Sequence, residues 1–131
     1  MSYIEYYKGF LIEIRKDSTL PSPYFWVFRI RIDFDQWLRQ GAIGTDFETA
    51  QRTARYEVMA YIALEKLPEP NFRIGQSVLV STEQGTGEDR ISDSTWHRGE
   101  QLWYYRGQGQ TWFPETQLAP RDQRSLKGKM L

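Results

Sequence analysis

Cysteine is absent from this chain, histidine occurs once, and neither sign of charge is in excess: 17 Lys and Arg balance 17 Asp and Glu over 131 residues. Without thiols there are no disulfides, thiolate metal sites or cysteine nucleophiles, and the composition fits a reducing compartment. With His97 as the one imidazole, no cluster exists to bind zinc, and a triad would have to be built around that single residue. Its neighbours Arg98 and Gly99 mark it instead as a surface turn residue. No apolar run approaches the roughly 18 residues of a membrane span. The start, MSYIEYYKGF, lacks the basic region and apolar core of a secretory signal, so a cytoplasmic location is expected. No catalytic constellation stands out. The expectation is a non-enzymatic protein with neither cofactor nor metal.

Two further chemistries fail on context. Gly85-Thr-Gly87 and Gly107-Gln-Gly109 contain G-x-G, but neither opens a helix or leads to the Lys of a phosphate-binding loop. Glu83, Glu88, Asp89 and Asp93 lack the spacing of a calcium loop and read as a solvated acidic loop.

Aromatic rings are what the chain has in quantity: five Trp, eight Tyr and seven Phe. Such residues favour strands and also interfaces, so they either fill small β-rich cores or remain partly at the surface to bind. Charge is unevenly spread. Residues 1–67 hold nine basic and nine acidic groups, residues 68–120 sum to −3, and residues 121–131 sum to +3. Neither folded half has the basic excess usual in a duplex-binding domain.

The best-defined element is a helix over Thr45–Leu67. Thr45 and Glu48 have capping-box spacing, and Pro68 stops it. Phe47, Ala50, Ala54, Val58, Tyr61, Ile62 and Leu64 make its apolar stripe. Strands are expected before it at Gly9–Arg15, Tyr24–Asp33 and Gln36–Ile43, separated by the turn-rich KDSTLPSP and ending near Gly41 and Gly44. The order is β-β-β-α. Arg29, Arg31 and Arg39 fall along this sheet as possible phosphate contacts, interleaved with Asp33 and Asp35 that compensate them.

Pro68-Glu69-Pro70-Asn71 makes a short stiff linker, residues 68–71. Beyond it, strands are expected within Phe72–Val80, Arg90–His97, Gln101–Arg106 and Thr111–Phe113, with Ser81–Asp89 as a polar loop and Pro114–Leu118 as a single helical turn. Short strands with closely spaced turns predict a small barrel over residues 72–120, followed by a basic tail at 121–131. The fold class is therefore α+β: a β-β-β-α domain at 1–67, then a small all-β module.

Three stretches carry a resemblance. IGQSVLV, TWHRGEQLWYYRG and TWFPETQLAP resemble an SH3-like barrel of the bacterial and plastid type. They are similar to the small SH3-like accessory subunits of cyanobacterial photosynthetic complexes, and more distantly to KOW and Tudor-type barrels. The N-terminal half, through TDFETAQRTA, has a looser similarity to HicB-like antitoxin domains and AP2-type DNA-binding domains. The barrel resemblance implies an adaptor or accessory protein serving a larger assembly, peripheral to a membrane complex. The KOW and Tudor likeness implies the alternative, a nucleic-acid-associated protein aided by the basic tail.

Trp96, Trp103, Tyr104, Tyr105, Trp112 and Phe113 are the most site-like group. On one strand Trp103 and Tyr105 point opposite to Tyr104, so a small barrel cannot enclose all of them. Trp96, Trp103, Tyr104 and Trp112 are the expected binding residues for an extended protein segment. The competing reading makes the same rings the module's core.

Overall fold

The structure, a computed structural model, describes residues 2–20, 26–42 (backbone only for 39–42) and 46–121. The chain divides into two compact units, Met1–Glu69 and Pro70–Leu131. Among the described residues it is mostly β with one α-helix and three small sheets, an α+β arrangement.

In the first unit four strands form an antiparallel meander in the order β1-β2-β3-β4, with β1 at Ser2–Tyr7, β2 at Phe10–Lys16, β3 at Trp26–Ile32 and β4 at Gln36–Ala42. The expected β-β-β-α order is present, preceded by one strand more. That strand exists because Lys8 and Gly9 both take positive φ, 51° and 89°, as a two-residue type I′ hairpin turn requires. The turn sets Tyr7 opposite Phe10 and the rest of β1 in register with β2. Part of the expected strand, Tyr24 and Phe25, lies outside the described residues, as does Ile43.

The helix α1 runs from Phe47 to Glu65 and packs on β2 and β3. Thr45, the expected cap, lies outside the described residues; the N-cap is Asp46, which accepts the Thr49 N–H at 2.7 Å. That bond holds the Asp46 carboxyl below its ordinary range. Lys66, at φ 55°, closes the far end by donating its N–H to the Ile62 carbonyl.

Period two in the strands and 3.6 in the helix bring one face of each together. Phe10, Ile12, Ile14, Phe28, Ile30 and Ile32 are buried with Ala50, Ala54 and Val58. Tyr3 and Trp26 pack edge-on against Phe47, and Phe10 against Tyr61. Leu64 departs from the expected stripe and is 76% exposed. It lies six residues beyond Val58, which at 3.6 residues per turn sets it about 120° round the helix from that buried residue.

On the opposite face of the sheet Arg29 is compensated, by Glu13 rather than by the expected Asp33 or Asp35. Arg29 donates from Nε to Glu13 at 2.7 Å and stacks its guanidinium 3.7 Å from the Trp37 ring centroid. Arg31 is buried. The Arg39 side chain lies outside the described residues.

In the second unit one sheet is ordered β10-β5-β6 and the other β7-β8-β9. Here β5 is Ser77–Thr82, β6 Gly85–Arg90, β7 Asp93–His97, β8 Leu102–Arg106, β9 Trp112–Pro114 and β10 Leu118–Pro120. The stretch expected as a polar loop is instead a hairpin, with β6 pairing β5 from Ser77–Arg90 to Thr82–Gly85. Its side chains are almost all exposed, so no apolar alternation announced it; backbone hydrogen bonds alone define the strand. The expected helical turn is a 3-10 turn at Glu115–Gln117, which touches β5, β8 and β9. The strands form two separate sheets, and no closed barrel ladder appears among the described residues.

The core of this unit is Phe72, Val78, Val80, Ile91, Trp96, Trp103 and Tyr105. Trp96 and Trp103 face each other across β7 and β8 with ring centroids 5.4 Å apart. Tyr105 packs edge-on against Phe72 and accepts its N–H at 3.4 Å, while burial pushes the phenol pKa up. Of the expected basic tail, all residues after Arg121 lie outside the described ones. Arg121 itself pairs with Glu88 at 2.9 Å.

Two substitutions test this packing. Ala54→Leu is expected to destabilise the first unit by about 1–3 kcal/mol through overpacking, read from the shift in a denaturant midpoint. A β-carbon at Gly107 would lie 1.9 Å from Oδ2 of Asp89, whose Oδ1 accepts the N–H groups of Arg90 and Gln108. Gly107→Ala is therefore expected to lower the melting temperature of the second unit, with a cost of about 1–3 kcal/mol.

Candidate functional site

The hairpin β7–β8 decides which aromatic rings reach the surface. His97 and Leu102 flank a four-residue turn, and Gln101 takes φ 57° within it. The Gln101 N–H returns to the His97 carbonyl at 2.9 Å, and the Glu100 N–H to Nδ1 of His97 at 3.1 Å. The turn fixes the register, and alternation does the rest. Trp103 and Tyr105 point inward; Leu102, Tyr104 and Arg106 point outward.

The expected four-ring patch is thereby reduced to two. Trp96 and Trp103 are 1% and 0% exposed, so neither offers a surface to a partner. Their burial follows from register: they are cross-strand neighbours on the inner face of the hairpin. Tyr104 and Trp112 are half-buried on the outer face.

Around these two rings the outer face is organised by cross-strand pairs. Tyr104 stands between Thr95 on β7 and Pro114 on β9, and Arg106 between Asp93 and Trp112. The Arg106 guanidinium donates to Asp93 at 2.6 Å and lies 4.7 Å from the Trp112 ring centroid. Asp93 and Thr95 are buried. His97 tilts against Tyr104, with ring centroids 5.4 Å apart, and its Nε2 is 3.9 Å from the Glu100 carboxylate. The Tyr104 hydroxyl donates to the same carboxylate. That bond, with lesser help from desolvation and the nearby negative charge, raises the Tyr104 pKa to about 12.

The arrangement presents aromatic and proline surface with Arg106 already paired. Arg106 is answered by Asp93, and the Glu100 carboxylate accepts from the Tyr104 hydroxyl. The sequence reading missed Arg106, Asp93 and Glu100 as members of this face. Parity along β8 would have found Arg106, two residues after Tyr104; the two acids needed the register. The acidic residues expected around one loop are dispersed in role: Glu88 pairs with Arg121, Asp89 caps the turn at Gln108, and Asp93 pairs with Arg106. Among the described residues no cluster of three or more His, Asp or Glu could hold a metal, and no helix is long and apolar enough to cross a membrane.

Neither a family model, nor a curated protein, nor a solved structure matches this chain.

The Tyr104–Glu100 bond has a pH signature. Because the folded pKa lies above the ordinary 10.0, the stabilisation is fully present below pH 10 and is lost as pH rises through about 12. A spectrophotometric tyrosine titration is expected to show one phenol moving back toward 10 in Glu100→Gln, with the alkaline limb of the stability curve shifting down in parallel.

Proposed function

We propose that this protein is a non-enzymatic adaptor whose second unit, read as an SH3-like barrel, binds an extended segment of a larger protein assembly. The observation that carries this reading is the pair Tyr104 and Trp112, half-buried on the outer face of β7–β9 beside Pro114 and the stacked Arg106. Tyrosine, tryptophan and arginine are the side chains that most often anchor interfaces. Ring faces on adjoining strands also suit extended or proline-rich segments. The return of β10 to pair with β5, after a 3-10 turn, supports the barrel reading because it brings last strand to first.

The charge around the rings favours protein over nucleic acid as partner. Arg106 is paired with Asp93, and Glu100 lies next to His97, so among the described residues no continuous basic rim follows the aromatics. The resemblance of 74–80, 95–107 and 111–120 to accessory subunits is what points to a larger assembly. It also supports a location at the periphery of a membrane complex.

Affinity capture followed by identification of the partner opens the test, and single substitutions close it. Tyr104→Ala or Trp112→Ala is expected to cost about 2 kcal/mol or more of binding while the fold stays nearly intact. Trp103→Ala is expected to cost about 3–5 kcal/mol of stability, with binding lost only through unfolding. Normal binding by both folded surface variants would overturn the reading. A log affinity falling steeply with log salt would replace it with nucleic-acid binding.

A further inference from the structure

The first unit carries an edge whose chemistry is independent of the aromatic face. Among the described residues β1 has a strand neighbour only on its β2 side. The two-residue turn makes Tyr7 and Phe10 a mutually hydrogen-bonded pair, so bonding to β2 alternates back through Glu5 and Tyr3. Ser2 and Ile4 consequently turn their N–H and C=O groups outward. An outward row of this kind is a template for another strand.

Protein edges of this kind are usually blunted by proline, lysine, glycine bulges or inward charges. The strand SYIEYY holds none of the first three, and its pairing with β2 runs without a bulge. The fourth device is represented by Glu5, its one charge, which points to the helix side and is already matched there by a cation. There Glu5 accepts from Arg55 Nη2 at 2.6 Å and Gln51 Nε2 at 3.0 Å, leaving its side chain 12% exposed. What the edge does expose is apolar and aromatic: Ile4 at 55% and Tyr3 at 42%. Met59, one helical turn beyond Arg55 on the same side of α1, is 50% exposed.

We infer that a second copy of this chain docks along β1, antiparallel and two-fold symmetric about Ile4, to continue the four-stranded sheet into one of eight. Parity fixes this register. Outward groups belong to the even-numbered residues, so a two-fold pair must centre on one of them, and Ile4 is the even residue in the interior of the strand nearest its middle. Ile4 then meets Ile4 of the other copy, and Glu5 falls opposite Tyr3. The register that would set Glu5 against Glu5 requires odd-numbered residues to face outward, and theirs face β2. The edge is thus complementary to itself without like charges in opposition, as an isologous contact demands.

Sedimentation velocity and light scattering on the full chain, with Ile4→Pro and Ile4→Lys, test this. The Ile4 N–H makes no bond within the hairpin, so proline there removes only the intermolecular donor and spares β1–β2. Lysine instead sets two cations against each other across the axis. The wild type is expected to show twice the chain mass, with the Ile4 amide slow to exchange. Both variants are expected at half that mass with an unchanged circular dichroism spectrum. If the proline variant does not fold, the lysine variant carries the comparison. A wild type that stays monomeric up to about 1 mM, or a folded variant that remains dimeric, overturns the inference.

Discussion

The packing of Trp96 against Trp103 is the contact on which the second unit depends. Two indoles 5.4 Å apart and almost wholly enclosed supply a large share of the apolar surface available to a module this small. Because they are direct cross-strand neighbours, their burial also dictates the opposite face. Once Trp103 and Tyr105 point in, Tyr104 and Arg106 must point out. The candidate interface is therefore the reverse of the core, carried by β8 and its neighbours β7 and β9.

Polar detail then orders that reverse face. The Asp93 carboxylate, buried in β7, holds the Arg106 guanidinium where it can stack on Trp112. Glu100, in the turn, fastens the Tyr104 hydroxyl. Rings fixed in this way lose little side-chain entropy when a partner arrives, which is the usual advantage of preorganised anchors.

In the first unit the organising constraint is the close approach of a helix to a sheet. Ala50, Ala54 and Val58 present small side chains to a layer of Phe and Ile, so the helix sits low on β2 and β3. Glu5 ties the edge strand β1 to the helix through Gln51 and Arg55. That ion pair removes the only charge from the strand and leaves its outer side apolar.

Much of this was legible in the residues. The helix, its alanine stripe and its stop before Pro68 followed from periodicity and the Pro68 break, as did strands β2, β3, β4 and β8, while the cap fell on Asp46 rather than on the expected Thr45. Pattern fails where side chains do not alternate. β6 reads as a loop because its side chains are solvated, and only its backbone pairing with β5 makes it a strand. β1 hides in a run of aromatics until Lys8 and Gly9 adopt positive φ. The candidate site divides in the same way. Density of rings marked Trp96, Trp103, Tyr104 and Trp112 together, because composition is blind to direction. Which two enter the core was set by the hairpin register, a relation between residues on different strands that no local spacing encodes. The partners Asp93 and Glu100 belong to that register and turn as well, so only the tertiary structure could bring them to the rings.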